Sequence, residues 1–78
     1  MCNIYEEQIN LEREILSKLK ETKEYVDETF KGINVDDINA LMSVLSLLSN
    51  SHQHKLSELE ILYENSVNAL LNNKEKQL

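Results

Sequence analysis

The stretch KGINVDDI, residues 31–38, decides the fold of this 78-residue chain. It contains the only glycine, Gly32, and the chain has no proline, so the two residues that most strongly interrupt a helix occur at one place only. Lys31 before the glycine is typical of a helix C-terminus, because a cation there meets the negative end of the helix dipole and glycine can take a positive φ. The sequence therefore predicts one turn, at residues 32–34.

The residues after the turn predict the start of a second helix. Asn34 can act as its N-cap, which would place Asp36 and Asp37 in the first helical turn, near the positive end of the dipole. We therefore expect one all-α domain over residues 1–78, an antiparallel two-helix hairpin. Its expected parts are a first helix over about 4–31, a second over about 35–72 and a frayed tail over 73–78.

Apolar residues recur at spacings of three and four on both helices, which is typical of helices that pack along one side. The stripe on the first helix is Tyr5, Ile9, Leu16, Leu19, Val26 and Phe30. The heptad row expected to face it from the second helix is Ile38, Leu41, Leu45, Leu48, His52, Lys55, Leu59, Leu62, Ser66 and Ala69. A staggered row beside it is Leu56, Tyr63, Val67 and Leu70.

The segment SNSHQH, residues 49–54, leaves two forms of the second helix open. Serine and asparagine side chains compete for backbone hydrogen bonds and weaken a helix. A kink there would divide the chain into three helices, whereas the heptad that runs through the segment favours one continuous helix.

The stretch ALMSVLSLL, residues 40–48, holds more apolar surface than one helix contact can cover, since seven of its nine residues are apolar. Three explanations stay open: docking of a partner helix, self-association as a dimeric four-helix bundle, or burial within a three-helix chain. Tyrosine is a common interface anchor as well as an ordinary residue at the rim of a helix pair. The residues we predict to bind a partner are Ala40, Leu41, Val44, Leu45, Leu47, Leu48 and Tyr63.

Charge and residue types argue against several other functions. The chain has 14 acidic and 8 basic residues and a net charge of −6, with no basic cluster that could bind nucleic acid or an anionic membrane. No Ser/His/acid or Cys/His set and no glycine-rich phosphate loop is present, and the carboxylates are expected on exposed helix faces, so we expect no catalytic residues, no cofactor and no enzyme.

The two histidines, His52 and His54, do not predict a metal site. Side chains two residues apart on a helix point about 200° apart, so they cannot share one ion within a chain. His52 lies on the expected heptad row, where we interpret it as a partly buried polar residue that helps to set the register of the two helices.

Cysteine use and hydropathy predict a soluble cytoplasmic protein. The lone Cys2 cannot form a disulfide within the chain, although one between two chains stays open. The acidic N-terminus lacks the features of a secretory signal. The longest apolar-rich run, residues 38–48, is far shorter than the roughly 20 residues that span a bilayer.

The plan of the chain resembles the small hairpin co-chaperones of bacterial type III secretion needle subunits. The similarity consists of an acidic first helix, a turn at Gly32 followed by Asp36, and a longer apolar second helix. Near the end of that helix stands an Ile-Leu-Tyr and Asn-Ser pattern, here Ile61, Leu62, Tyr63, Asn65 and Ser66.

This resemblance implies a co-chaperone that pairs with a tetratricopeptide-like chaperone and holds a needle subunit in the cytoplasm before export. It also implies that the surface of residues 40–48 contacts the larger chaperone. From the residues alone, a homodimeric bundle with a structural or regulatory role and a small inhibitor of a host protein remain alternatives.

Overall fold

A computed structural model shows two long α-helices joined by a short turn, and it describes residues 4–76, with side chains over 4–72. Helix α1 spans Ile4–Thr29 and helix α2 spans Asp36–Lys76. The two helices run antiparallel along one another, and no strand occurs in the described part of the chain. This confirms the predicted all-α helical hairpin. The rod measures 66 × 18 × 14 Å.

The turn depends on the backbone conformation of its glycine. Gly32 has a φ of 80°, the left-handed region that favours glycine. On its two sides the Phe30 N–H donates to the Val26 carbonyl and the Ile33 N–H donates to the Phe30 carbonyl, both at 3.0 Å. These bonds end α1 at Thr29, two residues before the end we expected.

Helix α2 begins one residue later than the sequence suggested. The Asn39 N–H donates to the Val35 carbonyl at 3.0 Å, so Val35 supplies the first helical acceptor and occupies the N-cap. The prediction that Asn34 is the N-cap was wrong, because its side chain instead accepts a hydrogen bond from Asn39 Nδ2 at 2.8 Å. Asp36 and Asp37 lie in the first turn, as predicted.

Helix α2 continues without interruption through the Ser/Asn-rich segment 49–54, so the continuous form is confirmed. The Ser49 hydroxyl donates to the Leu45 carbonyl at 2.9 Å. Its side chain therefore makes a hydrogen bond within the helix instead of interrupting the helix. The tail that we expected to fray, 73–78, is helical over residues 73–76. Its last two residues and the N-terminal Cys2 lie outside the described residues.

The row of α1 that faces α2 alternates spacings of four and three. Its covered members are Tyr5, Ile9, Glu12, Leu16, Leu19, Lys23 and Val26. Five of these were predicted from the apolar stripe. Phe30, the sixth predicted member, is exposed at 37%, and Glu12 and Lys23 stand where a purely apolar row would have carried leucine.

The facing row of α2 differs from the predicted one at every second position. It consists of Ile38, Met42, Leu45, Ser49, His52, Leu56, Leu59, Tyr63 and Ser66. We call these two rows together the seam. The predicted members Leu41, Leu48, Lys55, Leu62 and Ala69 were wrong: they are exposed and lie one residue to the side.

The reason for this shift lies around Ile9. Ile9, Leu56 and Leu59 form the buried core cluster, with Tyr63 packed against it. A row with either spacing, three then four or four then three, keeps the heptad period, so periodicity alone does not choose between Lys55 and Leu56. Packing selects Leu56, because Ile9 buries more apolar surface against leucine than against lysine.

Replacing Gly32 by alanine should destabilise the hairpin through backbone conformation alone. A Cβ at this position would meet nothing within 4 Å, whereas a φ of 80° strains any residue with a side chain. We expect Gly32→Ala to lower the free energy of unfolding by about 1 kcal/mol in urea titrations, and Gly32→Asn to lower it less, because asparagine tolerates this conformation. Equal stability of Gly32→Ala and the wild type would contradict the assignment of the turn.

Candidate functional site

The hairpin has two broad sides, and they differ in polarity. On one side a shallow groove between the helices is lined by Gln8, Leu11, Glu12, Ile15 and Lys55. Since Lys55 marks this side of α2, the residues seven positions apart from it along the helix lie there too. Among the described side chains these are three leucines and one alanine: Leu41, Leu48, Leu62 and Ala69.

We call this side the leucine face, defined by Leu11, Ile15, Leu41, Leu48 and Leu62. Each of the five is classed as exposed, from 37% for Ile15 to 58% for Leu11. In a monomer, all five leave apolar surface in contact with water, which is unfavourable by roughly 25 cal/mol per Å². The leucine face therefore has the composition of a contact surface.

The opposite side carries polar residues. Its two grooves are lined mainly by charged and amide side chains, which are Glu6, Asn10, Arg13, Glu60 and Glu64 in one, and Lys20, Lys23, Glu24, Asn50 and Gln53 in the other. We call this side the polar face. Its contrast with the leucine face indicates that the two sides meet different surroundings.

A second apolar surface lies on the outside of α2, turned further from α1 than the leucine face. Its members Ala40, Val44 and Leu47 follow helical spacing and are all exposed, Val44 by 52% and Leu47 by 68%. We call them the outer row. Because residues 4–76 form two helices and no third, burial within this part of the chain does not account for them.

The structure divides the predicted partner-binding residues into two groups. Leu45 is 7% exposed and belongs to the seam, and Tyr63 packs against the core cluster of Ile9, Leu56 and Leu59. The remaining predicted residues are exposed on one helix within three turns: Ala40, Leu41, Val44, Leu47 and Leu48.

At the middle of the seam lies a charged cluster that was not predicted. The Glu12 side chain is 5% exposed, and its Oε2 lies 2.6 Å from His52 Nδ1. Its Oε1 lies 3.4 Å from Lys55 Nζ. No buried side-chain nitrogen or oxygen in the described residues lacks a hydrogen-bond partner. The expectation that the carboxylates all lie on exposed faces was therefore wrong for Glu12.

These contacts change the acidity of Glu12. The hydrogen bond from His52 lowers the pKa of Glu12 from its ordinary value of 4.5, burial raises it, and the hydrogen bond from Lys55 lowers it again. The net direction is downward.

The sequence did contain a signal for this cluster. Glu12 fills the gap between Ile9 and Leu16 in the spacing of the apolar stripe, and His52 is the one histidine on the expected heptad row. His52 is partly buried, as we predicted, and its partner is the acid at the matching level of α1. An acid within the apolar stripe of α1, considered together with a histidine on the heptad row of α2, would have predicted this pair.

Other kinds of site find no support in the described part of the chain. No group of three or more His, Cys, Asp or Glu residues there could hold a metal ion. Neither helix contains, among its described residues, a stretch long and apolar enough to cross a membrane. Comparison with protein-family models, with curated proteins and with solved structures finds no match.

Removing the histidine from the cluster should leave a covered carboxylate without its shortest hydrogen bond. We expect His52→Leu to lower the free energy of unfolding by about 1–2 kcal/mol, and the double variant with Glu12→Leu to recover most of that loss, because two apolar residues can replace a buried polar pair.

The matched control is His54→Leu. The pair of His54 with Glu58 has side chains that are 78% and 61% exposed, so its loss should change stability little. Equal losses for His52→Leu and His54→Leu in urea titrations would show that the seam contact contributes nothing specific.

The lowered pKa of Glu12 also predicts a dependence on pH. A carboxyl whose folded pKa is below its unfolded value stabilises the fold above the unfolded pKa, and this contribution is lost as the pH falls through the folded pKa. The stability advantage of the wild type over Glu12→Gln should therefore shrink as the pH falls below the ordinary value of 4.5. Urea titrations across this range measure it, and a difference that does not vary with pH would contradict the role of the carboxylate.

Proposed function

We propose that this chain is a non-enzymatic adaptor that holds a partner protein against the outer row of α2. The observation that carries the proposal is the exposure of Ala40, Val44 and Leu47 on the side of α2 that α1 does not reach. Their spacing places them on one stripe about two turns long, which is the form of an amphipathic helix contact. Within the described residues, no other helix covers that stripe.

The surroundings of the outer row support a contact with protein rather than with nucleic acid. The stripe is apolar, and the chain that carries it has a net charge of −6. A phosphate backbone would require clustered lysine and arginine, and Lys55 is the one base among the described side chains of α2. An apolar stripe of another protein would gain free energy from covering these three residues.

The specific form of the proposal follows the resemblance to needle-subunit co-chaperones. In that form the chain acts in the cytoplasm, where it pairs with a tetratricopeptide-like chaperone, and the pair holds a secretion needle subunit before export. The long exposed α2, with its stripe at the end nearest the turn, supports a contact of this kind because a single helix can enter a groove of a larger partner.

Substitution of one residue should separate binding from folding. Leu47 is 68% exposed, so Leu47→Glu should leave the unfolding temperature of the chain unchanged while placing a charge in the contact. The control, Ser43→Glu, adds the same charge on the same helix, on the polar face.

The measurement is titration of the purified chain with purified chaperone and needle subunit from the organism that encodes it. We expect a stoichiometric complex whose affinity falls at least about tenfold with Leu47→Glu and is retained with Ser43→Glu. Equal affinities for the two variants would remove the outer row as the contact. Absence of any complex would reject the needle-subunit form of the proposal.

A further inference from the structure

The leucine face extends along both helices, on a different side of α2 from the outer row. Leu48 and Leu47 are adjacent in sequence, so their side chains are separated by about 100° around the helix. Leu11 and Ile15 contribute to the leucine face from α1, whereas the outer row belongs to α2 alone. A surface formed by two helices side by side fits another pair of helices.

We propose that the leucine face binds a second copy of this chain, so that two hairpins pack face to face as a four-helix bundle. This inference goes beyond the proposed adaptor function and does not depend on it. Three grounds favour self-association: the amount of exposed surface, the charge of the leucine face and the pairing of its central lysine.

The first ground is the area that the single chain exposes. Its accessible surface is 6427 Å², whereas a compact monomer of 9.1 kDa exposes about 4,900 Å², so the hairpin exposes an excess of about 1,500 Å². A stable interface of standard size removes about 800 Å² from each partner. The excess is therefore more than enough for one such interface on each copy.

The core of the single hairpin is correspondingly small. Among the described side chains, five hydrophobic ones are buried, and none is less than 2% exposed. Chains of this size commonly depend on oligomerisation, metals or disulfides for stability. No metal-binding group occurs among the described residues, and a disulfide within the chain is impossible with one cysteine, so a second copy is the simplest source of additional burial.

The second ground is the balance of charge on the leucine face. Four charged residues line the two grooves that contain Leu11 and Ile15: Glu12, Glu14, Lys18 and Lys55. Their charges cancel, although the chain as a whole carries −6. Two copies can therefore meet through this side without the like-charge repulsion that their other surfaces would produce. A basic partner would instead be attracted to the acidic surfaces of the chain outside the leucine face.

The third ground is the state of Lys55, the cation nearest the middle of the leucine face. A lysine covered by a partner without a counter-ion would oppose association. Here Lys55 Nζ already lies 3.4 Å from Glu12 Oε1. Because the pair brings its own counter-charge, a second copy can cover the flanking leucines while the lysine head group stays paired.

Sedimentation of the full chain over a concentration series tests the proposal. The wild type should sediment as a dimer, at about twice 9.1 kDa. Leu48→Glu should raise the dimer dissociation constant at least about 100-fold, because a two-fold interface contains each substituted residue twice. Leu11→Glu should act in the same direction from α1.

The matched control is Asn50→Glu, which adds the same charge two residues further along α2, on the polar face. It should leave the dimer unchanged. Circular dichroism of each variant shows whether the helices persist, so that loss of the dimer is distinguished from loss of the fold.

Two results would overturn the proposal: a wild type that stays monomeric over the whole series, or a dimer that Leu48→Glu and Asn50→Glu affect equally. Failure of the adaptor proposal is recognised separately, because it is measured with Leu47→Glu, which should leave the sedimenting mass unchanged.

Discussion

The contact between Glu12 and His52 is the constraint on which the arrangement of the two helices depends. It places a carboxylate inside the seam at a position that ordinarily carries an apolar residue. A shift of one heptad would place Glu12 opposite Leu45 or Leu59 instead of His52, and the carboxylate would lose its donor. Such a shift would also separate it from Lys55. One buried polar contact therefore distinguishes the observed register from its neighbours, at some expense in apolar burial.

The chosen register decides which leucines remain outside. With Leu56 and Leu59 packed around Ile9, the seam passes beside Leu48 rather than through it. Helix α2 consequently buries Leu45, Leu56 and Leu59, whereas it leaves Leu41, Leu48 and Leu62 exposed on the side marked by Lys55. The surface that is available to a second chain is thus a direct consequence of the contacts inside the first.

The sequence predicted the elements of this fold well because local chemistry determines them. Gly32 in a chain without proline leaves one place for a turn, and two acids after it mark the start of α2. The exact rows could not be predicted from periodicity, since Lys55 and Leu56 both continue a heptad from His52. Choosing between them requires knowledge of which residue of α1 lies opposite, and that is a property of the pair of helices.

The candidate site was likewise predictable only in part. The excess of apolar residues over 40–48 is visible in the sequence, and the exposure of Leu47 agrees with it. The separation of this excess into an outer row and a leucine face was not visible, because it depends on the seam.

The most direct test of this account is a nuclear Overhauser spectrum of the methyl-labelled chain. The account predicts that the Ile9 methyl groups contact Leu56 and Leu59, and that the His52 ring lies beside the Glu12 side chain. Contacts from Ile9 to Leu62 in place of Leu56 would show that the seam follows the other row, and would contradict the leucine face together with the register that creates it.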